Sequence, residues 1–316
     1  MKLANFFIFL ITYFIGLFFR ILPYFLAQKL GYIIIVLFFL LIKKYKKIIY
    51  SNLQHAFPEK NHEFYHRIYK ANLKHMGRLL ADSFLKARMK KKWFQKYLIL
   101  DENTSSIEKE IDKLLEKQEP VIVITGHLGS WETLAQYLGY RFPNRTLIIY
   151  KKIKNSYLDQ WLLKLRSTTG AKLYSMEETF TILKLLEKGN LLAIAPDQNA
   201  GGSGLFINFL NRPASTYKGP ALFGYSTKAH IYFVTMIYQK NTKLKIIYEY
   251  LGKIQNSSTN KEAIIQEWTQ KWVSTLEKYV KKFPEQYFWA HQRWKTTPEI
   301  MERLQKEKLK KRGKIP

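Results

Sequence analysis

The 316-residue chain contains no cysteine. This absence excludes a disulfide-stabilised scaffold, a cysteine-ligated zinc or iron–sulfur centre, and a thiol nucleophile. Acidic residues are also scarce, since 24 Asp and Glu stand against 52 Lys and Arg and give a formal net charge of +28. Such an excess predicts an anionic partner, which could be nucleic acid, acidic lipid or an acidic protein. Hydrophobic residues make up 47% of the chain, which excludes a disordered tail protein.

The apolar residues are concentrated near the N-terminus. Residues 3–19 carry no charge, and about 17–25 such residues are needed for a helix to cross a membrane. A second apolar stretch, residues 30–42, is too short to cross alone and predicts a short second leg or a helix lying in the interface. Four lysines follow it and are typical of a cytoplasmic flank: Lys43, Lys44, Lys46 and Lys47.

These features favour a retained membrane anchor over a cleaved signal peptide, because no small-x-small cleavage site follows the apolar stretch. We therefore expect residues 1–47 to form the anchor and its basic flank, and residues 48–300 to form the main domain. Residues 301–316 are expected to be a basic tail, frayed and facing the membrane.

The remainder of the chain predicts an α/β fold. Short apolar runs at residues 121–124, 147–150, 191–195, 231–238 and 244–250 are typical of strands. Helical stretches at 131–140, 158–167 and 262–282 separate or follow them. Strands that alternate with helices indicate a mixed sheet with parallel parts, whose ligand crevice lies at the carboxyl ends of its strands.

One candidate catalytic motif begins where the first of these strands ends. Residues 126–132 read Gly-His-Leu-Gly-Ser-Trp-Glu. A neutral imidazole at His127 could take a proton from a hydroxyl group, and a carboxylate at Glu132 could orient the ring and support its charged form. Because cysteine and a Gly-x-Ser-x-Gly elbow are both absent, this motif predicts direct attack by an activated substrate hydroxyl.

A second candidate is the sequence His62-Glu63-Phe64-Tyr65-His66, which matches the H-E-x-x-H pattern of zinc peptidases. Its third ligand is missing, because no Glu occurs between Glu63 and Glu102. The alternative interpretation is a pair of solvent-facing histidines on a basic helix.

A glycine-rich segment at residues 195–204 starts at the carboxyl end of a predicted strand. Such turns expose backbone N–H groups to anions, but the Lys-Ser/Thr of a P-loop is absent, so nucleotide binding is not predicted. Asp197 in this segment is either a turn residue or a site carboxylate.

Taken in order, several motifs resemble those of the lipid A biosynthesis acyltransferases of Gram-negative bacteria. The resemblance covers residues 50–295. The matching motifs are Asn52-Leu53, Ala56-Phe57-Pro58-Glu59, Thr125-Gly126-His127 with Trp131-Glu132, residues 150–155, Arg166 with Gly170, Pro196-Asp197-Gln198, Phe209 with residues 212–216, and residues 284–289 with His291, Arg293 and Trp294.

The resemblance implies a glycerol-phosphate-acyltransferase-like mixed sheet flanked by helices, behind an N-terminal membrane-anchoring helical segment. It implies an H-x4-D/E mechanism in which His127 is the general base and Glu132 supports it. It also implies an acyl carrier protein as donor, an anionic membrane glycolipid as acceptor, most simply a lipid A precursor, and no metal or nucleotide cofactor. The residues that it assigns to substrate binding or transition-state support are Arg166, Asp197, Asn155 and Gln198.

The same resemblance places the enzyme at the bacterial inner membrane, with its catalytic domain on the cytoplasmic face. The acceptor could also be another glycolipid or an aminolipid. Two departures from the family pattern are Ser130, where Asn is usual, and Leu210-Asn211, where Phe-Gly is usual. Asn can adopt the left-handed turn of a glycine, so we expect the fold to be kept.

A third interpretation is a non-enzymatic basic protein that binds membranes or nucleic acid. Between residues 86 and 96 there are six cations and no acid, which indicates either a solvated helix face or a contact with lipid phosphates or an acidic carrier protein. No RNA-binding signature or zinc finger supports nucleic-acid binding, and the acyltransferase interpretation assigns no nucleic-acid partner.

Overall fold

The computed structural model describes residues 2–255 and 260–311. The helices are α1 (Lys2–Ile21), α2 (Tyr24–Leu41), α3 (Lys43–Ala56), α4 (His62–Leu85), α5 (Lys91–Tyr97), α6 (Glu102–Glu116), α7 (Trp131–Arg141), α8 (Ser156–Arg166), α9 (Thr179–Glu187), α10 (Gly219–Thr227), α11 (Lys261–Lys282) and α12 (Pro298–Lys311). The strands are β1 (Leu98–Ile99), β2 (Val121–Ile124), β3 (Thr146–Tyr150), β4 (Lys172–Ser175), β5 (Leu191–Ile194), β6 (Leu205–Phe209), β7 (Arg212–Thr216), β8 (His230–Tyr238) and β9 (Leu244–Lys253).

Seven strands form one mixed sheet in the order β1-β9-β8-β2-β5-β3-β4. Neighbouring strands from β8 through β2, β5 and β3 to β4 are parallel, whereas β9 runs antiparallel to β8. All five predicted strands and all three predicted helices are present, so the predicted α/β class is confirmed. The sequence analysis missed β1, which is short, and the β6–β7 hairpin.

The central strand β2 is buried on both faces, which explains its unbroken β-branched run. Ile122 and Ile124 point into the apolar core on one side of the sheet, and Val121 and Val123 point into the core on the other side. This alternation follows from the two-residue period of a strand. The sheet is therefore covered on both faces, so a ligand can reach it only at the ends of its strands.

Helices α1 and α2 are both long and apolar enough to cross a membrane, over Leu3–Ile21 and Tyr24–Leu41. The prediction that the second apolar stretch is too short is therefore wrong. Helix α2 begins at Tyr24 and includes Lys29, so it is 18 residues long.

The second apolar helix, α2, packs directly against α4. A Cβ atom on Gly31 of α2 would lie 2.2 Å from the carbonyl oxygen of Gly77, so the two helix backbones are in direct contact. Only residues without a side chain allow this approach. The predicted division of the chain at residues 47 and 300 stays a prediction.

Strands β6 and β7 form an antiparallel hairpin whose two turn residues are Leu210 and Asn211. Both have positive φ, at 51° and 61°. The expectation that Asn211 takes a left-handed conformation is confirmed, and Leu210, which is fully buried, takes one as well.

The predicted basic tail is helical rather than frayed as far as Lys311, because it belongs to α12. Pro298 begins this helix, and Lys306 forms an ion pair with Glu302 one turn before it at 2.7 Å. Residues 312–316 of the predicted tail lie outside the described residues.

Candidate active site

The order of the strands brings two distant segments together. Strands β2 and β5 are parallel neighbours, with Ile124 opposite Ile194. Their carboxyl ends therefore meet at one edge of the sheet. His127 follows β2 by three residues and Asp197 follows β5 by three residues, which places the two side chains side by side.

His127 and Asp197 form a buried dyad. The ring Nδ1 of His127 lies 2.6 Å from Oδ1 of Asp197, and the backbone N–H of His127 donates to the other carboxylate oxygen at 3.0 Å. Burial lowers the pKa of His127, but the charge and hydrogen bond of Asp197 outweigh this effect and raise the pKa above its ordinary value. Burial alone would raise the pKa of Asp197, yet the pairing with His127 holds it below its ordinary range.

The outer edge of the ring remains partly open, since the His127 side chain is 19% exposed. The amide Nε2 of Gln198 lies 3.2 Å from the ring Nε2. An ionised carboxylate only accepts, so the ring proton sits on Nδ1, facing Asp197, and Nε2 carries the lone pair. This tautomer is the one that a general base needs, because the lone pair on Nε2 points away from the carboxylate and toward the amide of Gln198.

Aromatic rings and the turn backbone fix the position of the imidazole. Trp131 packs against the ring at 5.1 Å and Phe288 at 6.2 Å between centroids, and the His127 carbonyl accepts from the N–H of Phe288. Gly129 has a φ of +63°, and a Cβ atom there would lie 2.1 Å from the carbonyl oxygen of Met236. Only glycine fits at this turn.

The structure differs from the expectation that Glu132 is the carboxylate on the ring. Asp197 holds that place, and Glu132 instead lies 2.7 Å from Nζ of Lys86 and 2.7 Å from Nη2 of Arg166. The physical reason is the strand order: β5 lies next to β2, so Asp197, which follows β5, lies beside His127, which follows β2.

Lys86, Glu132 and Arg166 form a charged cluster next to the dyad. Lys86 is 1% exposed and Glu132 bonds Arg166 through both guanidinium Nε and Nη2. Burial alone would raise the pKa of Glu132, but the two cations hold it well below its usual range. Burial lowers the pKa of Lys86, and Glu132 opposes that shift. The cluster therefore combines two cations with one carboxylate.

Lys86 was not identified as a site residue from the sequence. It was grouped with five other cations as a surface feature, whereas it points into the protein. Arg88 from the same run donates to the carbonyls of Arg20 and Leu22 at the end of α1. The exposed members of the run are Arg88, Lys90, Lys91, Lys92 and Lys96.

Asn155 is not in contact with the dyad in this arrangement. Its side-chain oxygen caps α8 by accepting from the N–H groups of Tyr157 and Leu158, and its Nδ2 donates to the carbonyl of Asn5 in α1 at 2.8 Å. These bonds connect the first apolar helix to α8, the helix that ends at Arg166.

Several motifs from the sequence support the segment that carries Phe288. Asn52 donates to the carbonyls of Trp289 and His291 at 2.7 and 2.8 Å. The buried Arg293 donates to the carbonyl of Ser215 and the hydroxyl of Thr216. Sequence order alone did not show that these motifs are in contact.

The H-E-x-x-H motif lies on the first turn of α4, with its histidine rings 6.2 Å apart. Nδ1 of His66 is hydrogen-bonded to the hydroxyl of Tyr50. Within residues 2–255 and 260–311, no group of three or more His, Asp or Glu side chains is arranged to hold a metal ion. The structure therefore gives the zinc-peptidase alternative no support among these residues.

Comparison with known proteins yields consistent matches. The family profile described as bacterial lipid A biosynthesis acyltransferase matches residues 2–296. The chain is 26% identical over 285 residues to a lipid A biosynthesis lauroyltransferase of Escherichia coli (strain K12), covering 88% of each chain. It is 24% identical over 269 residues to a lipid A biosynthesis palmitoleoyltransferase of the same organism and to a lipid A biosynthesis acyltransferase of Shigella flexneri, covering 81% of each chain.

Proposed function

Because the chain belongs to the bacterial lipid A biosynthesis acyltransferases, we propose that it moves a fatty acyl chain from a carrier-protein thioester to a hydroxyl of a lipid A precursor. The enzyme class, an acyltransferase, follows from the family. The donor, the individual acceptor and the residue roles are our proposals. The observation that carries them is the 2.6 Å contact between His127 and Asp197, with ring Nε2 at the open edge.

In the proposed reaction, Nε2 of His127 accepts the proton of the acceptor hydroxyl as its oxygen attacks the thioester carbonyl. The hydroxyl takes the place that the amide of Gln198 occupies in the structure. Asp197 stabilises the imidazolium that forms, because its carboxylate faces Nδ1. When the tetrahedral intermediate collapses, the carbon–sulfur bond breaks and the imidazolium returns its proton to the leaving thiolate.

Glu132 is proposed as a positioning residue rather than as the ring partner. It holds Lys86 and Arg166 together beside the dyad. Two cations and one carboxylate leave a net positive charge there, and such a charge would stabilise the oxyanion of the intermediate. Arg166, as one of the two cations, is proposed to stabilise the negative charge that develops on this oxyanion.

We also propose that α1 and α2 hold the enzyme in the inner membrane with the catalytic domain on the cytoplasmic face. Lys43, Lys44, Lys46 and Lys47 are exposed at the start of α3, directly after α2, in agreement with this orientation. The exposed lysines of α5 and its flank offer positive charge to an acidic carrier protein or to lipid headgroups.

The test is an acyl-transfer assay with detergent-purified enzyme, an acyl-carrier-protein thioester and a tetra-acylated disaccharide lipid. We expect a product one acyl chain heavier, and its loss in His127→Ala. Thioester hydrolysis that depends on His127 without transfer would support the dyad and contradict the acceptor. Consumption of the thioester that is unchanged in His127→Ala would contradict the mechanism.

The orientation has its own test, because the chain has no cysteine and an introduced one is unique. A Lys47→Cys variant should react with an impermeant maleimide only after the inner membrane is opened. Labelling in intact spheroplasts would contradict the proposed orientation.

A further inference from the structure

A cavity of about 360 Å³ opens between α4 and the turn that joins β8 to β9. The side chains of its walls that matter here are Lys74, His75, Arg78, Tyr238, Lys240 and Glu285. This volume is in the range of sites that hold small molecules or parts of lipids.

The walls carry an excess of positive charge. Lys74, Arg78 and Lys240 contribute three cations, against the one carboxylate of Glu285. In the part of the chain that the structure describes, none of these three cations forms an ion pair with a carboxylate. Arg78 instead lies over the ring of Tyr238 at 5.3 Å, which leaves its N–H groups available.

His75 adds an unsatisfied group to the same wall. It is 2% exposed, and neither of its ring nitrogens has a hydrogen-bond partner. Burial and the nearby Arg78 lower the pKa of His75 to about 3, so the ring is neutral and carries one N–H donor. A buried donor without a partner is uncommon in proteins, and a bound acceptor oxygen would satisfy it.

The cavity is close to the dyad. The ring of His75 lies 6.5 Å from that of Trp131, and Trp131 lies 5.1 Å from His127. A single indole therefore contacts both the catalytic histidine and the cavity wall. Helix α4, which supplies four of the lining residues, also packs against the apolar helix α2 through Gly77.

We propose that this cavity binds a phosphate monoester of the lipid acceptor while another part of the same molecule presents its hydroxyl to His127. The proposal deepens the function proposed above and rests on it. Phosphate oxygens accept from Arg78, Lys74 and the N–H of His75, and Lys240 adds charge from the opposite wall. A concave site of this size, lined by a helix that packs against the apolar helix α2, favours a lipid headgroup over the surface of a carrier protein.

The kinetic test uses two double variants that each remove two positive charges from α4. Lys74→Gln/Arg78→Gln changes the cavity, and Arg67→Gln/Lys70→Gln changes exposed residues of the same helix that do not line it. For an acceptor with its phosphates, we expect the cavity variant to raise KM about tenfold or more, with kcat within about twofold, because charge-assisted hydrogen bonds are lost. For a dephosphorylated acceptor, the two variants should have the same KM.

A binding measurement separates this proposal from the activity. The chain has seven histidines, and ¹⁵N-histidine spectra with His75→Gln as the assignment control identify the ring of His75. Inorganic phosphate should shift this resonance in the full-length enzyme and in the Arg67/Lys70 variant, and should leave it unshifted in the Lys74/Arg78 variant. Unfolding temperatures of both variants show whether they are folded.

Equal acceptor KM in the two double variants would overturn the proposal, and so would an effect on the KM of the thioester donor in place of the acceptor. If the unmodified enzyme transfers no acyl chain to any acceptor, the proposed function is contradicted. The spectra then test on their own whether the cavity binds an anion. A phosphate-dependent shift of His75 would then still support an anion site, and its absence would overturn it.

Discussion

Asp197, which is buried, and Glu132, which is partly buried, are two carboxylates close to the same histidine, and they are paired in opposite ways. Asp197 faces an imidazole that gains and loses a proton near neutral pH. Glu132 faces the buried amino group of Lys86 and the guanidinium of Arg166, which stays charged. The two pairs are therefore suited to different functions of an acyl-transfer site. The pair of Asp197 and His127 can transfer a proton, and the charged partners of Glu132 can stabilise an oxyanion.

The pKa directions agree with this division. Asp197 raises the pKa of His127, so the dyad titrates at a pH above the ordinary value of a histidine. Lys86 and Arg166 hold the pKa of Glu132 far below its ordinary value, so its charge does not change near neutral pH. The following substitutions test whether the two pairs really act separately.

The largest effect is expected for His127→Ala. Removing the general base should lower kcat/KM by about 10³–10⁴-fold, because proton removal from the acceptor hydroxyl loses its catalyst. Binding of the acyl carrier thioester should change little, which a direct titration of the donor measures. Gln198→Ala is the matched control, since its amide contacts ring Nε2 but takes no proton. A fall in Gln198→Ala as large as that in His127→Ala would contradict the assignment.

Asp197→Asn should lower kcat/KM by about 10²–10³-fold, because the ring loses the charge that fixes its tautomer and stabilises its protonated form. The pH profile gives a sharper result. Activity should rise as His127 loses its proton, above the ordinary histidine pKa in the unmodified enzyme. In Asp197→Asn the acidic limb should move to lower pH, because burial lowers the pKa and the carboxylate no longer opposes it. An acidic limb that stays in place would contradict the dyad.

Glu132→Gln should lower kcat by about 10–100-fold and the unfolding free energy by about 3–5 kcal/mol, because Lys86 is left buried beside Arg166 without a carboxylate. Lys86→Met should lower the unfolding free energy by less, because Glu132 still forms its ion pair with Arg166. In the double variant, part of the lost stability should return. Thermal and denaturant unfolding of the four proteins gives the coupling energy, and additive losses would contradict a single charged cluster.

The pH dependence of stability should identify the same cluster. The pKa of Glu132 is lower in the folded protein than in the unfolded chain, so its contribution is present above about pH 4.5 and is lost as the pH falls toward the folded-state pKa. The unfolding free energy should therefore decline below about pH 4.5 more steeply in the unmodified enzyme than in Glu132→Gln. Parallel pH curves would show that Glu132 is not held by the two cations.

The sequence predicted most of the sheet because its central strands are apolar, β-branched runs bounded by turn residues. It did not predict the pairing of Asp197 with His127, because that contact depends on β5 lying next to β2 and on residues 70 positions apart. His127 and Asp197 each follow the end of a strand by three residues. The sequence showed that both residues come directly after predicted strands, but it did not show that these two strands are neighbours in the sheet.

The burial of Lys86 had a local signal that the charge run concealed. Asp82 lies four residues before it, so a helix places both on one face. Asp82 is fully buried and Lys86 is 1% exposed, so this face points inward. The length of α2 was missed because the predicted stretch began at residue 30, after the charge of Lys29, whereas Lys29 lies inside the helix.

Asp82 provides a third arrangement that sharpens the comparison, because it has neither a histidine nor a cation as a direct partner. Its carboxylate accepts from four hydroxyl groups, those of Tyr24, Ser130, Thr133 and Tyr238, at 2.5–3.0 Å. Burial raises its pKa even though these bonds oppose the shift. Ser130, which departs from the family pattern, is therefore part of a buried network that supports the start of α7.

Ser130→Ala should have the smallest effect, with a loss of about 1 kcal/mol in unfolding free energy and kcat within about twofold, because three hydroxyl groups remain on Asp82. Ser130→Asn restores the usual family residue but adds atoms at a fully buried position, so it should cost about 1–3 kcal/mol. Denaturant unfolding and the transfer assay measure both. If Ser130→Ala lowered kcat as much as Glu132→Gln, the hydroxyl network would belong to the catalytic machinery, and the separation of the three carboxylates would fail.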